Sequence, residues 1–337
     1  MPNDAPDFFE HRFAVPPEAD GHRLDHCMAS RYVRFTRSEW QDRIRIGDVQ
    51  LDGARVKPAR RVKAGQVILF RFEKPPEPPV NSDYQIIYGL DPADDLLAVL
   101  KPADLPVHPS GIYFQNTLTS LLKRDYPAIT WRLINRIDRE TSGLVLFSRT
   151  RELAREMQKL FLAQQVLKEY LVLVQGLFPK SRTARGWIGR KKESRVRKKI
   201  YFTARDQEAD SWVYRRSAHT DFTVLKHFTH PTENKQYSLL LARLHTGRIH
   251  QIRATLSSLG FPVVGDRLYG VDEELYIKLI EKRREQSDYA LLGMQRSALH
   301  CYRLAFEHPQ HATALNLQAE LPADMRAFMQ TLHPLRS

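Results

Sequence analysis

Between Trp131 and Ser148 the chain runs Trp-Arg-Leu-Ile-Asn-Arg-Ile-Asp-Arg-Glu-Thr-Ser-Gly-Leu-Val-Leu-Phe-Ser. Asp138 stands there between the guanidiniums of Arg136 and Arg139, with the hydroxyls of Thr141 and Ser142 just beyond. A carboxylate in such company can serve as a nucleophile or as a general base. The same residues can also close an Asx-type turn capped by Thr141 or Ser142, and spacing by itself favours that plainer use. Gly143 admits a close backbone approach or an unusual φ before Leu144–Phe147, which has the length and composition of a buried strand.

Two later segments carry more side chains suited to a site. Lys168-Glu-Tyr170-Leu-Val-Leu-Val174-Gln-Gly176 alternates as a strand, so Lys168 and Tyr170 share a face. A tyrosine there can stack on a nucleobase and still offer its hydroxyl, although a half-buried strand tyrosine is the commoner case. His245-Thr-Gly247-Arg248-Ile-His250-Gln251-Ile252-Arg253 is rich in donors and opens on a Gly turn. Its two histidines are five apart rather than at the i, i+4 spacing of a helical metal pair, and no further ligands stand near them in sequence. Leu259–Gly270, with three glycines, reads as a tightly turned loop.

The elements that must position these groups are strand-like and helix-like segments alternating from Leu96 to Pro322. Neither a G-x-G-x-x-G nor a Walker loop occurs among them. The pattern predicts an α+β domain around a mixed, largely antiparallel sheet. Upstream, Thr36 and Glu39 form a capping-box pattern opening a helix with Trp40 and Ile44 on one face, and Gly47 can stop it. Val49–Leu51 alternates, Asp52-Gly53 suits a hairpin turn, and Val67–Phe70 reads as a further strand. Lys74-Pro-Pro-Glu-Pro-Pro79 is a stiff spacer. The expected division is an extension over 1–20, a small α/β domain over 21–74, a Pro-rich linker over 75–84 and the larger domain over 85–337.

Charge narrows the partners. The 337 residues hold 52 Lys+Arg against 39 Asp+Glu, a formal net charge of +13. Between Arg23 and Lys74 there are 13 Lys/Arg and 6 Asp/Glu, with Arg31, Arg34, Arg37, Arg43 and Arg45 in or beside the helical part. From Arg182 to Arg205 ten Lys/Arg, among them Arg195 and Lys198, face only Glu193, and the stretch reads as a mobile loop able to close over a polyanion. Such a balance suits phosphate polymers or an anionic surface, while a solvated charged face is the plainer use. No apolar run approaches the roughly 18 residues a spanning helix needs, and Met1–Glu10 does not resemble a signal peptide. Cys27 and Cys301 alone build neither a disulfide framework nor a zinc cluster, so a reducing cytoplasm is expected.

His22-Arg23-Leu24-Asp25, Ser30-Arg31, Ile46–Gly53 and Val67 together resemble the α-L RNA-binding motif, which a small-subunit ribosomal protein shares with several RNA-modifying enzymes. Downstream, five collinear pieces resemble the RluA-type family of pseudouridine synthases over most of Leu96–Met325. They are Lys101-Pro102 with Leu105–Pro109, the Arg136–Gly143 loop, Lys168–Gly176, Thr246–Arg253, and Ser297–His300 with Phe306–Pro309.

The resemblance implies a uridine-to-pseudouridine isomerase needing no cofactor and no metal. It puts Asp138 on the catalytic aspartate and Tyr170 on the tyrosine packed against the target uracil. Arg253 falls on the cation paired with that aspartate, and Arg136 on the arginine that occupies the space left by a flipped nucleotide. Thr141, Lys168, Arg248 and Gln251 are expected on the substrate, and Arg31, Arg34, Arg37, Arg43, Arg195 and Lys198 on RNA. Asn135, Leu100 and Ala254-Thr255 depart from the family pattern, which expects His, Asn and Val/Leu-His there. The expected partner is large-subunit ribosomal RNA, with transfer RNA second, bound by a monomer. The competing reading is a non-catalytic RNA-binding or ribosome-assembly protein on the same scaffold.

Overall fold

The computed structural model describes residues 8–32, 35–73, 77–91, 94–192, 196, 199–204, 212–270, 276–278 and 291–335. Arg34, Arg195 and Lys198 lie outside the described residues, as do 1–7 of the expected extension and 74–76 at the expected linker. The chain divides into two compact units, Met1–Glu77 and Pro78–Ser337.

The first unit contains β1 (Phe8–Ala14), α1 (Leu24–Arg31), α2 (Arg37–Ile46), β2 (Val49–Leu51), β3 (Ala54–Arg55) and β4 (Val67–Glu73). Its antiparallel sheet has the order β1-β4-β2-β3. The helix start is set by reciprocal bonds: Glu39 N–H donates to Thr36 Oγ1 at 3.3 Å and Thr36 N–H to Glu39 Oε2 at 2.6 Å. Gly47 ends α2 at φ 94°, a conformation open to glycine without steric cost. Asp52 and Gly53 turn β2 into β3, both at positive φ. Trp40 and Ile44 are fully buried with Leu24, Met28 and Ile68, and Trp40 packs edge-on against Phe70 with ring centroids 5.5 Å apart.

The second unit contains β5 (Gln85–Tyr88), β6 (Leu96–Lys101), α3 (Leu118–Asp125), β7 (Arg132–Leu133), β8 (Ser142–Ser148), α4 (Arg151–Leu162), β9 (Leu167–Gln175) and β10 (Ser181–Lys191). It continues with β11 (Tyr201–Ala204), β12 (Trp212–Thr229), β13 (Gln236–Leu244), α5 (Gln251–Ser258), β14 (Leu299–Glu307), β15 (Ala314–Gln318), α6 (Ala323–Gln330) and β16 (His333–Pro334). Among the described residues these strands form one sheet, ordered β11-β10-β12-β13-β9-β14-β8-β6-β5, with β7, β15 and β16 paired alongside. Only the β8–β14 pair is parallel, so the sheet is mixed and largely antiparallel. Every residue of β8 is buried, as its unbroken apolar run requires.

The basic stretch Arg182–Arg205 departs from its expected loop form. Most of its described part is the β10–β11 pair. Ala184, Ile188 and Phe202 are buried, while Arg182 and Arg185 are exposed. The density of cations masked an ordinary two-residue alternation.

Candidate active site

Asp138 lies in the loop between β7 and β8, and this loop is anchored on both sides. Upstream, Asn135 Oδ1 accepts from Leu146 N–H at 2.7 Å, so the Asn135 amide fixes the loop entry to β8. Downstream, Gly143 has φ 116°, and a Cβ there would lie 2.3 Å from Cys301 O. Only glycine lets β8 approach β14 so closely. Ser142 Oγ meets His300 Nδ1 at 2.9 Å, and His300 Nε2–H donates to Ala319 O at 3.2 Å, which places a ring proton on Nε2 and clamps the imidazole between β8 and the segment after β15. Burial pushes the His300 pKa down to about 4, so the ring is neutral at neutral pH. Lys101, fully buried, donates from Nζ to the carbonyls of Pro102, Leu105 and Arg139 at 2.7, 2.8 and 3.0 Å. It thereby ties the loop to the end of β6, and burial lowers its pKa to about 7.

The Asp138 carboxylate takes no part in the Asx turn that spacing allowed. Instead Arg253 Nη1 donates to Asp138 Oδ2 at 2.8 Å. The other edge of Arg253 holds Asp266 bidentately, Nε to Oδ2 at 2.6 Å and Nη2 to Oδ1 at 2.9 Å. Asp266 is wholly buried and also accepts from the Leu268 and Tyr269 N–H groups. Two carboxylates therefore share one buried cation, an arrangement that only the planar guanidinium fork satisfies. Burial acts to raise the Asp138 pKa, but His250 and Arg253 outweigh it and hold it below the usual carboxylate range. His250 is itself depressed by burial, so at neutral pH Arg253 supplies the charge.

Asp138 keeps 28% of its side-chain surface exposed. That surface faces a cavity of about 170 Å³ lined by Arg136, Asp138, Thr141, Tyr170, Arg248 and His250, among others. A second, of about 540 Å³, shares Arg136, Asp138, His250 and Arg253 with it. Arg136 is exposed, and Thr141 is buried with its hydroxyl unpartnered among the described residues. Tyr170 is 8% exposed and lines the smaller cavity, and burial pushes its phenol well above the usual range.

Two expected positions sit differently from their expected use. Gln251 has both amide ends occupied: Oε1 accepts from Thr246 Oγ1 and Arg248 N, and Nε2 donates to His219 O and Thr220 Oγ1. It braces the loop before α5. Lys168 is buried beside Phe161, outside both cavities. In the Asp138 loop, Glu140 accepts from Ser297 Oγ and pairs with Arg139 and Arg267. In the first unit Arg37 and Arg43 pair with Asp25 and Asp48, and Arg31 lies over Phe13.

His245 gains partners that its sequence neighbours do not show. His219, Asp221 and His245 place ligand-type atoms within 4.8 Å of one another. Their chemistry does not fit a metal. The imidazoles are stacked 3.8 Å apart with 9° between planes, so their nitrogens do not converge on one point. Arg185 Nε also donates to His219 Nε2 at 3.2 Å.

Sequence reading passed over Asp266 and Tyr269, and weighed His250 only as a metal ligand. The one signal for the first two is their place in the Gly-rich Leu259–Gly270 loop.

Among known proteins, the RNA pseudouridylate synthase family model matches residues 95–258. Ribosomal large subunit pseudouridine synthase D of Xylella fastidiosa is 28% identical over 331 residues, covering 96% of this chain and 93% of its own. An RNA pseudouridine synthase of Aquifex aeolicus is 30% identical over 330 residues, covering 94% and 95%. The fold is shared with human RNA pseudouridylate synthase domain containing 1, at a TM-score of 0.58, 24% identity, and coverage of 77% of this chain and 94% of that one. Likeness of this extent runs through both units and the loop that holds Asp138: the chain belongs to the RluA-type family of RNA pseudouridine synthases, isomerases that act on RNA.

Proposed function

We propose that the enzyme converts uridine to pseudouridine in large-subunit ribosomal RNA, as a cytoplasmic monomer, with Asp138 as its catalytic carboxylate. The observation that carries this reading is the 2.8 Å bond from Arg253 to a carboxylate that still faces the cavity. Isomerisation breaks the bond from ribose to uracil nitrogen, turns the base, and rejoins it through carbon. Asp138 can attack the anomeric carbon, attack the uracil ring, or take the ribose 2′-proton, and all three routes need it ionised. Arg253 keeps it so in a site sheltered from water.

The target must leave its helical stack, at a cost of a few kcal/mol. Arg136, exposed at the rim, takes the space it leaves, and Tyr170 packs on the uracil, where base–aromatic contact contributes about 1–3 kcal/mol. The buried, unpartnered Thr141 hydroxyl is available to a substrate polar atom. The cations of the first unit and of β10 bind phosphates. Ribosomal RNA is favoured over transfer RNA by the α-L-like first unit and by the ribosomal name of the Xylella relative.

Tritium release from RNA labelled at uracil carbon five tests the reading on ribosomal and transfer RNA separately. Wild-type release that Asp138→Asn abolishes, with RNA affinity nearly intact, is the expected result. Tight binding without release from either RNA favours the non-catalytic assembly factor.

A further inference from the structure

His250 stands at the N-cap of α5 with φ 53° and ψ 20°, a left-handed conformation that non-glycine residues rarely adopt. Its side chain caps nothing. The backbone instead turns the imidazole into both cavities that contain Asp138.

The hydrogen bonds around this imidazole settle its tautomer. His250 Nδ1 lies 2.9 Å from Tyr269 Oη. Tyr269 is 1% exposed, and its oxygen already accepts the Ile200 N–H at 3.1 Å. The one proton of the phenol then goes to His250 Nδ1, leaving the ring hydrogen on Nε2. His250 Nε2 is 3.8 Å from Asp138 Oδ2. That is too long for a direct bond, so among the described residues the Nε2–H keeps its capacity to donate to a substrate oxygen in the shared cavity.

We infer that His250, locked by Tyr269 as the Nε2–H tautomer, is a further catalytic residue that donates a hydrogen bond to a carbonyl oxygen of the uracil held in the cavity beside Asp138. The inference rests on the reading of Asp138 as the catalytic carboxylate. An oxygen of the base gains negative charge when the bond to ribose breaks, and a fixed donor stabilises that charge more than it stabilises the bound uridine. No proton need leave His250, and no further reactant is required.

The charged and titratable groups facing the ring are Asp138 and Arg136 from the loop before β8, Arg253 from α5, and Asp266 and Tyr269 from the loop after it. Burial lowers the His250 pKa, with Asp138 and Asp266 opposing and Arg253 and Arg136 assisting. The Tyr269 proton can be accepted only by the neutral ring. Protonation below its pKa breaks that bond and draws the charged ring into an ion pair with Asp138, which occupies the carboxylate and gives the rate an acid limb. Tyr269→Phe removes the bond that favours the neutral ring, so the limb moves to higher pH.

The test combines single-turnover pH profiles of the full-length enzyme with imidazole nitrogen NMR. His250→Phe is expected to lower the rate about 100-fold while RNA affinity stays within threefold. His250→Gln, which keeps an N–H but cannot titrate, should restore part of the rate and lose the acid limb. Tyr269→Phe should shift the limb upward, and the wild-type spectrum should show Nδ1 unprotonated. An undiminished rate in His250→Phe, an unmoved limb in Tyr269→Phe, or a proton on Nδ1 overturns the role of His250. Should a variant fail to fold, the wild-type spectrum and the remaining profile still decide. Activity that survives Asp138→Asn overturns the Asp138 reading instead, and leaves the measured tautomer as it stands.

Discussion

Arg253 serves two carboxylates with one guanidinium, and neither bond can be lost without consequence. A lysine carries the charge but not the fork, so Arg253→Lys keeps at most part of the geometry. Losing the charged hydrogen bond to Asp138 corresponds to about 1.5–3 kcal/mol, or roughly 10- to 150-fold in single-turnover rate. The pH dependence distinguishes this from general damage. Asp138 is held below the usual carboxylate range, so it stays ionised as pH falls toward 5. With Arg253 weakened, burial raises its pKa, and the deficit of Arg253→Lys should be larger at pH 5.5 than at pH 8. An equal deficit at both values would place the effect elsewhere.

Elements carry the next level of the design, since Asp138 is only as well placed as β8 is against β14. Gly143→Ala sets a Cβ 2.3 Å from Cys301 O at φ 116°. Backbone strain and overpacking together predict a loss of about 2–5 kcal/mol, readable as a lower urea midpoint. His300 clamps the same pair of strands. Its folded pKa of about 4 lies below the ordinary value of 6.5, so the unfolded chain binds more protons between these limits. Stability from this group is therefore present above pH 6.5 and is lost as pH falls toward 4, by up to about 3 kcal/mol. Urea unfolding at pH 6.5 and 4.5 should show that slope in wild type and a flatter one in His300→Gln.

Across the whole molecule, a formal charge of +13 predicts RNA binding that weakens steeply with salt. The exposed cations of β10 and β12 are suited to phosphate contact. Arg182→Ala and Arg216→Ala should each reduce the slope of log affinity against log salt by about 1, with uniform weakening across RNA sequences. An unchanged slope in both would remove this face from the RNA-binding surface.

The sequence by itself determined the features whose signals are complete within a few residues. Thr36, Glu39 and Gly47 bound α2, Asp52-Gly53 turns a hairpin, and Gly143 announces a close approach. Their causes are steric or hydrogen-bonded within about one turn, so they are legible without the fold. The ordered pieces around Asp138, Tyr170 and Arg253 likewise identified the family. Tertiary structure alone decided what lies between distant segments. It joined Asp138 to Arg253 across 115 positions and gave Arg253 a second carboxylate in Asp266. It occupied the amide of Gln251, left Lys168 outside the cavities, and set the first part of a basic stretch into β10. It also set Tyr269 against His250 to choose a tautomer. Such contacts follow from sheet register and the packing of α5. Register depends on which strands pair across the whole domain, and no local spacing encodes it.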